Sequence, residues 1–260
     1  MKGVILAGGK GTRLDPLTRV VSKQLLPVYD KPMIYYPLST LILAGIKEIL
    51  LISNPEYIDD FKKLLGAGTE YGVQIQYATQ NEPLGIAHAL IVAEDFIGNS
   101  RVALILGDNL FYGQGLGRKL GTYTKIKGAL IFGYPVSNPE EYGVVYLDAS
   151  GQVTGIEEKP KPPTSNLAIP GLYFLDHKAA RLAMGITPSQ RGELEITELL
   201  KKYLNLGELK VEVLPQGTAW LDTGSFEGLF EATSFVRAIQ HRQGISLGDP
   251  KVASINLAKE

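Results

Sequence analysis

Residues 4–7, 49–52 and 102–106 are short runs of continuously apolar side chains, and helical periodicity fills the stretches between them, near 37–44, 56–65 and 86–95. A run that is apolar at every position suits a parallel strand covered on both faces. Strands alternating with helices in this way predict an α/β fold, a doubly wound sheet with helices on both faces. Ligands of such sheets bind at the carboxyl ends of the strands. Here those ends run into Gly8-Gly9, Ser53-Asn54 and Gly107-Asp108.

Beyond residue 127 the rhythm changes to shorter strands, near 127–134, 143–147, 153–158 and 168–175, then a helix near 194–204 and a strand near 209–214. Phe226, Leu229, Phe230 and Val236 recur at helical spacing, which predicts an amphipathic helix over 225–243. Lys159-Pro160-Lys161-Pro162-Pro163 is the most loop-like segment, open to reading as an exposed connection or as part of a site. With no repeat, linker or low-complexity stretch, the expected organisation is one domain over 1–244 and a tail over 245–260.

The 260 residues, 45% hydrophobic and 20% charged, have the composition of a globular protein able to bury a substantial core. A formal net charge of −1 gives no global field to draw in nucleic acid or an acidic membrane, so neither is an expected partner. The absence of cysteine excludes disulfides, cysteine-ligated zinc and thiol catalysis. The N-terminal apolar run breaks at Gly8-Gly9, too short for a signal peptide, and no other stretch nears the roughly 18 apolar residues of a membrane span. A cytoplasmic location is the expectation. His88, His177 and His241 are scattered without metal-ligand spacing and read as structural or surface residues.

The first strand end opens the most informative segment, Gly8-Gly9-Lys10-Gly11-Thr12-Arg13-Leu14. It is not a Walker loop, because Gly9 stands where that pattern needs lysine. Nor is it a dinucleotide fingerprint, because Leu14 takes the place of the third glycine. Glycines tolerate positive φ and let a backbone approach a ligand closely, so successive N–H groups can converge on an anion. Arg13 adds a planar charged fork suited to phosphate oxygens, Thr12 a hydroxyl and Lys23 a point charge. A glycine-rich turn with solvated cations is the competing reading of these residues.

The same loop, followed by Pro16-Leu17-Thr18 and Lys23-Gln24-Leu25-Leu26-Pro27-Val28, resembles the signature of the sugar-1-phosphate nucleotidylyltransferases. The continuation Tyr29-Asp30-Lys31-Pro32-Met33-Ile34-Tyr35-Tyr36-Pro37-Leu38 is similar to their glucose-1-phosphate thymidylyltransferase branch. The likeness runs on through Gly107-Asp108-Asn109, Tyr142-Gly143-Val144, Glu157-Glu158-Lys159-Pro160, Arg191-Gly192-Glu193-Leu194-Glu195-Ile196-Thr197 and Trp220-Leu221-Asp222-Thr223-Gly224. It implies a Rossmann-like doubly wound mixed sheet flanked by helices, the glycosyltransferase A-like nucleotidyltransferase fold. A nucleotide-binding part is expected over about 1–125 and a sugar-phosphate-binding part over about 126–224.

The resemblance implies Mg²⁺-dependent transfer of a nucleotidylyl group from dTTP to glucose 1-phosphate, opening dTDP-rhamnose-type synthesis. By it, Leu6, Gly8, Gly9, Gly11, Thr12 and Arg13 bind the nucleotide, with Gly8, Gly11, Thr12 and Arg13 around its phosphates, and Lys23 reaches the region of transfer. Gln80, Pro83 and Gly85 border the base. Asp108 and Asp222 share the metal, with Arg13, Lys23 and Asp108 as the catalytic set. Plainer readings stand beside these, Asp108 starting a turn and Asp222 helping to cap a helix. Tyr142, Gly143, Glu158, Lys159 and Tyr173 receive the sugar phosphate; otherwise Glu158-Lys159 is a surface ion pair and Tyr173 a core aromatic. Adjacent strand residues point to opposite faces, so Glu158 and Lys159 can line one site only where the strand ends or bends, as Pro160 allows. Arg191, Glu193 and Glu195 are assigned to helix starting and intersubunit pairing rather than chemistry.

Pro83-Leu84-Gly85-Ile86 departs from the pattern usual in the thymidylyltransferase branch, which makes UTP the alternative nucleotide. One methyl group in an apolar pocket discriminates by only about 1–3 kcal/mol. A non-catalytic sugar-nucleotide sensor is the alternative of another class. The likeness fades after Gly244, where familiar long members continue into a lid-like element and a second nucleotide site. A shortened tail and a homo-oligomer, dimer or tetramer, are expected here.

Overall fold

The computed structural model describes residues 1–259, which form two compact units. The first comprises Met1–Pro83, Ile105–Thr122 and the chain from Gly217 onward; the second comprises Leu84–Leu104 and Tyr123–Gln216. The fold class is a mixed parallel and antiparallel sheet flanked by helices.

In the first unit, strands Lys2–Ala7, Glu48–Ser53 and Gln74–Thr79 pair in parallel, in register from Gly3 opposite Ile49 and from Glu48 opposite Gln74. Val4, Ile5, Ile49, Leu51 and Ile52 are almost wholly buried, which is why their runs are apolar at every position. The third strand is weak in sequence because it alternates, with Ile75 buried between exposed Gln74 and Gln76. Helix Ile58–Leu65 faces inward through Ile58, Phe61 and Leu65. Helix Pro250–Lys259, inside the expected tail, packs on helix Tyr35–Leu43, with Ala253 buried.

Strands Asn109–Tyr112 and Ala219–Asp222 form an antiparallel ladder that leads into helix Phe226–Gln243. That helix starts where expected, but its buried stripe is not the expected one. Phe226 is 44% and Phe230 73% exposed, while Ala232 and Val236 are buried and Leu229, Phe235 and Ile239 pack on the same cluster as Leu14, Val28, Met33 and Leu110. Two phenylalanines on consecutive turns satisfied the helical spacing but belong to the outer face. Gln240 closes the helix's far end, accepting from Leu247 N–H and Lys31 Nζ, both at 2.9 Å.

In the second unit, Ala129–Pro135 pairs antiparallel with Leu167–Ala168 and Leu172–Leu175, and parallel with Leu209–Val213. Gly143–Leu147 and Val153–Glu158 form an antiparallel pair, with Gly143 opposite Glu158. The single strand expected over 168–175 is two, because Pro170-Gly171 interrupts the ladder. The expected helix over 86–95 likewise divides into Ile86–Val92 and Glu94–Ile97.

Asp176, 6% exposed, ties the second unit together: it accepts from Tyr203 Oη at 2.8 Å, Lys178 N–H at 3.0 Å and Gly128 N–H at 3.1 Å. Gly128 has φ +75°, and a methyl there would lie 2.1 Å from the Glu208 carbonyl oxygen, which itself accepts from Ala129 N–H at 2.8 Å. Gly128→Ala therefore combines left-handed strain with a backbone collision. It should lower stability by at least about 2 kcal/mol, read as a fall in the urea unfolding midpoint. An unchanged midpoint would show that this corner is not rigid.

Candidate active site

Strand Lys2–Ala7 delivers the chain into the glycine loop, whose path depends on Gly9 at φ +102° and Gly11 at φ +61°. A side chain at Gly11 would also meet Thr18 Cγ2 at 2.8 Å. Thr18 Oγ1 donates to the Gly11 carbonyl at 2.9 Å, and fully buried Leu14 anchors the 3₁₀ turn Thr12–Leu14. Thr12 and Arg13 of that turn stay exposed.

Gly9 N–H donates to Asn54 Oδ1 at 3.2 Å, so the end of the neighbouring strand holds the loop. A methyl on Gly8 would lie 3.3 Å from Asn54 Oδ1 and 3.5 Å from Gln80 Oε1, which sets these three side by side. Gln24, 1% exposed, donates to the Gly8 carbonyl at 3.3 Å. Leu6 gives its carbonyl to Gly107 N–H at 2.9 Å, joining the loop's strand to the strand end before Asp108.

Asp108 is 8% exposed, accepting from Lys23 Nζ at Oδ2 and from Asn109 Nδ2 at Oδ1, the latter at 3.1 Å. Its carbonyl accepts twice from Thr223, from N–H at 3.0 Å and Oγ1 at 2.7 Å. The ladder sets Asp222 opposite Asn109, so two aspartates remote in sequence become neighbours. Asp222 Oδ1 accepts from Gly224 N–H at 3.0 Å. The helix that follows is capped by Ser225, which accepts from Gly228 N–H at 3.1 Å, so capping is not the duty of Asp222. Arg13 lies over the same turn: a methyl on Gly224 would be 2.7 Å from its Nη2 and 3.0 Å from Asp222 Oδ1.

Burial is the largest influence on both carboxyl groups, and it acts upward on each. At Asp108 the charge and hydrogen bond of Lys23, helped by Asn109, outweigh it and hold the pKa below its ordinary value. At Asp222 the negative charge of Asp108 adds to burial, and the pKa rises despite Gly224 N–H, Lys23 and Arg13. This all-oxygen pair suits Mg²⁺, which is commonly held by one or two carboxylates plus substrate phosphates. Among the described residues no cluster of three or more His, Cys, Asp or Glu side chains could hold a metal, so waters and, when bound, substrate oxygens would complete the coordination.

Gln80 is 4% exposed and donates its N–H to the Ser53 carbonyl at 2.9 Å, whereas Pro83 is exposed. Gly85, in the second unit, has φ +97°, and a methyl there would lie 2.5 Å from the carbonyl oxygen and 2.8 Å from the nitrogen of Leu194. Leu194 N–H donates to Leu84 at 2.7 Å, and Ala87 N–H donates to the Leu194 carbonyl at 3.1 Å. Close packing of two backbones thus requires this glycine, whatever else it borders.

The second unit gathers Tyr142, Gly143, Glu158 and Lys159 at the paired ends of Gly143–Leu147 and Val153–Glu158. The bend comes at Lys159 itself, at φ +47°, with its N–H donating to the Tyr142 carbonyl at 3.0 Å. Glu157 bonds outward to Tyr146 Oη at 2.9 Å. Glu158 instead accepts from Thr197 Oγ1 at 3.2 Å and from Arg191 Nη2 at 3.4 Å. Burial first, then the charge of Glu195, raises the Glu158 pKa against the opposing Lys159 and Arg191. A methyl on Gly143 would lie 2.9 Å from Thr197 Cγ2 and 3.4 Å from Glu158 Oε2. Tyr173, 3% exposed, belongs to the interior strand Leu172–Leu175.

Glu195 stands at the N-cap of helix Ile196–Asn205, and Arg191 and Glu195 are bonded to each other beside Glu158. Glu195 accepts from Arg191 Nη2 at 2.9 and 3.0 Å and from Ser189 Oγ at 2.7 Å, and it makes no side-chain cap to helix Ile196–Asn205. Arg191 is a second cation at Glu158. Asn109, Thr197, Trp220 and Thr223 were also passed over, although each sits inside a motif segment that already stood out. Asn54 had a different signal, its place directly after a parallel strand.

The Nucleotidyl transferase family matches residues 2–239. The chain is 56% identical to a glucose-1-phosphate thymidylyltransferase of Mycolicibacterium smegmatis, over 96% of this chain and 87% of that one. It is 54% identical to one of Neisseria gonorrhoeae, over 95% and 86% respectively. Among solved structures, a glucose-1-phosphate thymidylyltransferase from Bacillus anthracis, in complex with a sucrose, superposes with TM-score 0.84 at 39% identity, covering 91% of this chain and 95% of that one. A UDP-glucose pyrophosphorylase complexed with UDP-glucose gives TM-score 0.79 at 25% identity, covering 91% and 98%. Among the described residues no helix is long and apolar enough to cross a membrane. With its glycine loop and paired aspartates in that framework, the chain belongs to the nucleotidyl transferase family and is a nucleotidyltransferase.

Proposed function

We propose that the protein transfers a deoxythymidylyl group from dTTP to α-D-glucose 1-phosphate, with Mg²⁺, releasing pyrophosphate and forming dTDP-glucose. The observation that carries this reading is the convergence of Asp108, Asp222, Lys23 and Arg13 in one unit. The thymidylyltransferase relatives at 54–56% identity support the choice of substrates.

No side-chain nucleophile is needed, because the sugar phosphate carries its own anionic oxygen. That oxygen attacks the α-phosphorus, the bond to the bridging oxygen breaks, and pyrophosphate leaves. Catalysis then consists of in-line positioning and neutralisation of charge on the phosphates. The loop from Gly8 to Arg13 holds the triphosphate, and Lys23 neutralises charge near the α-phosphate. Asp108 and Asp222 would hold the metal, whose chemistry is charge neutralisation and orientation of the phosphate oxygens. In the second unit Lys159 and Arg191 receive the sugar's phosphate, while Glu158, Tyr142 and the Gly143 N–H receive its hydroxyls. Gln80, Pro83 and Gly85 border the base. We read the enzyme as cytoplasmic, opening dTDP-rhamnose-type synthesis, and as a homo-oligomer, with exposed Phe226 and Phe230 supplying apolar surface for self-association. UTP as an equal substrate is the second reading, favoured by the unusual Leu84-Gly85-Ile86 segment and by the likeness to a UDP-glucose pyrophosphorylase.

Pyrophosphate release with glucose 1-phosphate and each nucleoside triphosphate in turn tests the assignment. The expected result is turnover with dTTP exceeding that with UTP. Equal rates would replace the thymidylyl label, and no release with either would leave a sensor. Asp108→Asn should lower kcat by at least about 10²-fold. Lys159→Ala should raise KM for glucose 1-phosphate by about 10- to 100-fold with little change for dTTP.

The pKa of Asp222 yields a stability test that needs no turnover. A carboxyl group whose folded pKa exceeds its unfolded one destabilises the folded state above that folded pKa, and the cost vanishes as pH falls below the unfolded value. Asp222→Asn should therefore raise Tm of the metal-free protein at neutral pH, with the gain shrinking towards about pH 4. A variant less stable than the parent at neutral pH would contradict the buried-repulsion account.

A further inference from the structure

We infer that Trp220 is a positioning residue for the Asp108 carboxylate, acting through Asn109. Trp220 Nε1–H donates to Asn109 Oδ1 at 2.6 Å, and Asn109 Nδ2 donates to Asp108 Oδ1 at 3.1 Å. The other carboxylate oxygen is taken by Lys23. Trp220, Asn109 and Asp108 are 7%, 3% and 8% exposed, so water does not compete freely for these bonds.

The indole is a one-way hydrogen-bonding group. Its N–H donates and cannot accept, so only the oxygen of the Asn109 amide can face it. The amide nitrogen is then committed to Asp108. The two ends of an asparagine amide are nearly alike in shape, and hydrogen bonding decides which way it lies. Without the indole N–H, the amide keeps its bond to the acceptor-only carboxylate but loses one of the partners that fix its position, so the Asp108 carboxylate is held less firmly. The ladder that sets Asp222 opposite Asn109 also sets Trp220 opposite Phe111, so Asp222 and the relay share one two-stranded element and Asp108 directly precedes it.

This inference rests on the reading of Asp108 as a ligand of the divalent cation. Partners that orient a ligating carboxylate typically change metal affinity by roughly 10- to 100-fold. Trp220 stands one bond further out than Asn109, so an effect at the lower end, about tenfold, is expected.

Trp220 is the only tryptophan in the chain, which permits an unusually clean test. Expression with β-(3-benzothienyl)alanine in place of tryptophan exchanges the ring N–H for sulfur at this one position and preserves the bicyclic shape. Trp220→Phe is a second donor-free variant. Mn²⁺ alone is titrated into each protein and the free ion is followed by electron paramagnetic resonance, with Asp108→Asn as reference. The Mg²⁺ concentration giving half-maximal pyrophosphate release is measured in parallel.

We expect the benzothienyl protein to unfold near the parent's Tm, bind Mn²⁺ about tenfold more weakly and need correspondingly more Mg²⁺. A packing role alone would lower Tm without moving the metal dependence. If Asp108→Asn weakens Mn²⁺ binding while both donor-free proteins bind like the parent, the relay is refuted and the metal assignment stands. If Asp108→Asn itself leaves Mn²⁺ binding unchanged, the metal assignment fails and this inference falls with it.

Discussion

A buried carboxylate and a half-buried one beside it need a cation between them, and the first unit is arranged around that constraint. Asp108 meets it with Lys23, whose charge offsets the penalty of burial. Asp222 feels the charges of Lys23 and Arg13, but burial and the charge of Asp108 outweigh them and its pKa stays raised. Such an arrangement is poor design for stability alone, since replacing a buried ion pair by apolar groups is often neutral or stabilising. Under the proposed function it serves as a receptor for positive charge. The two Thr223 bonds to the Asp108 carbonyl, and the ladder behind them, keep the carboxylates together in spite of their repulsion.

The second unit uses burial to the opposite end. Glu158 is also enclosed, but it faces Thr197 and a cation shared with Glu195, and its pKa moves up. A carboxyl group whose pKa is pushed up and whose oxygens already accept from a hydroxyl and a guanidinium is placed for hydrogen bonding rather than for gathering positive charge. Asp108, held below its ordinary value, is the reverse. Two acids pushed in opposite directions by their environments can thus serve two ligands of different chemistry without exchanging roles.

The sequence made the parallel core readable because Val4, Ile49 and Val102 begin runs that are buried on both faces. It hid Gln74–Thr79 because an alternating strand of Gln and Ile scores as neither core nor helix. The grouping of the candidate residues is legible in the sequence where it is local, as in Gly8 to Arg13 and Glu158-Lys159. It was not legible where a residue acts through one far away in the chain. The pairing of Asp222 with Asn109 is a matter of strand register, which spacing along the chain does not encode. Arg191 looked like a helix-start residue for the same reason. Its acidic neighbours in sequence are real partners, but the more informative partner, Glu158, is reached only in three dimensions. Phe230 misled in the other direction, because helical spacing reports a face and not which face is covered.

Lys159 shows how a local cost can produce a site from adjacent residues. Consecutive strand positions point to opposite faces, so Glu158 and Lys159 could not serve one ligand in a regular strand. A left-handed φ of +47° at Lys159 breaks that alternation at the last possible residue. For a non-glycine residue such a conformation costs of order 1–2 kcal/mol, and it persists only where its surroundings determine it. Here the Lys159 N–H bonded to Tyr142 and the buried ring of Pro160 supply that determination. The strain lies beside the carboxyl group whose pKa Lys159 helps to restrain, which ties the backbone irregularity to the electrostatics of the site rather than to the connection that follows.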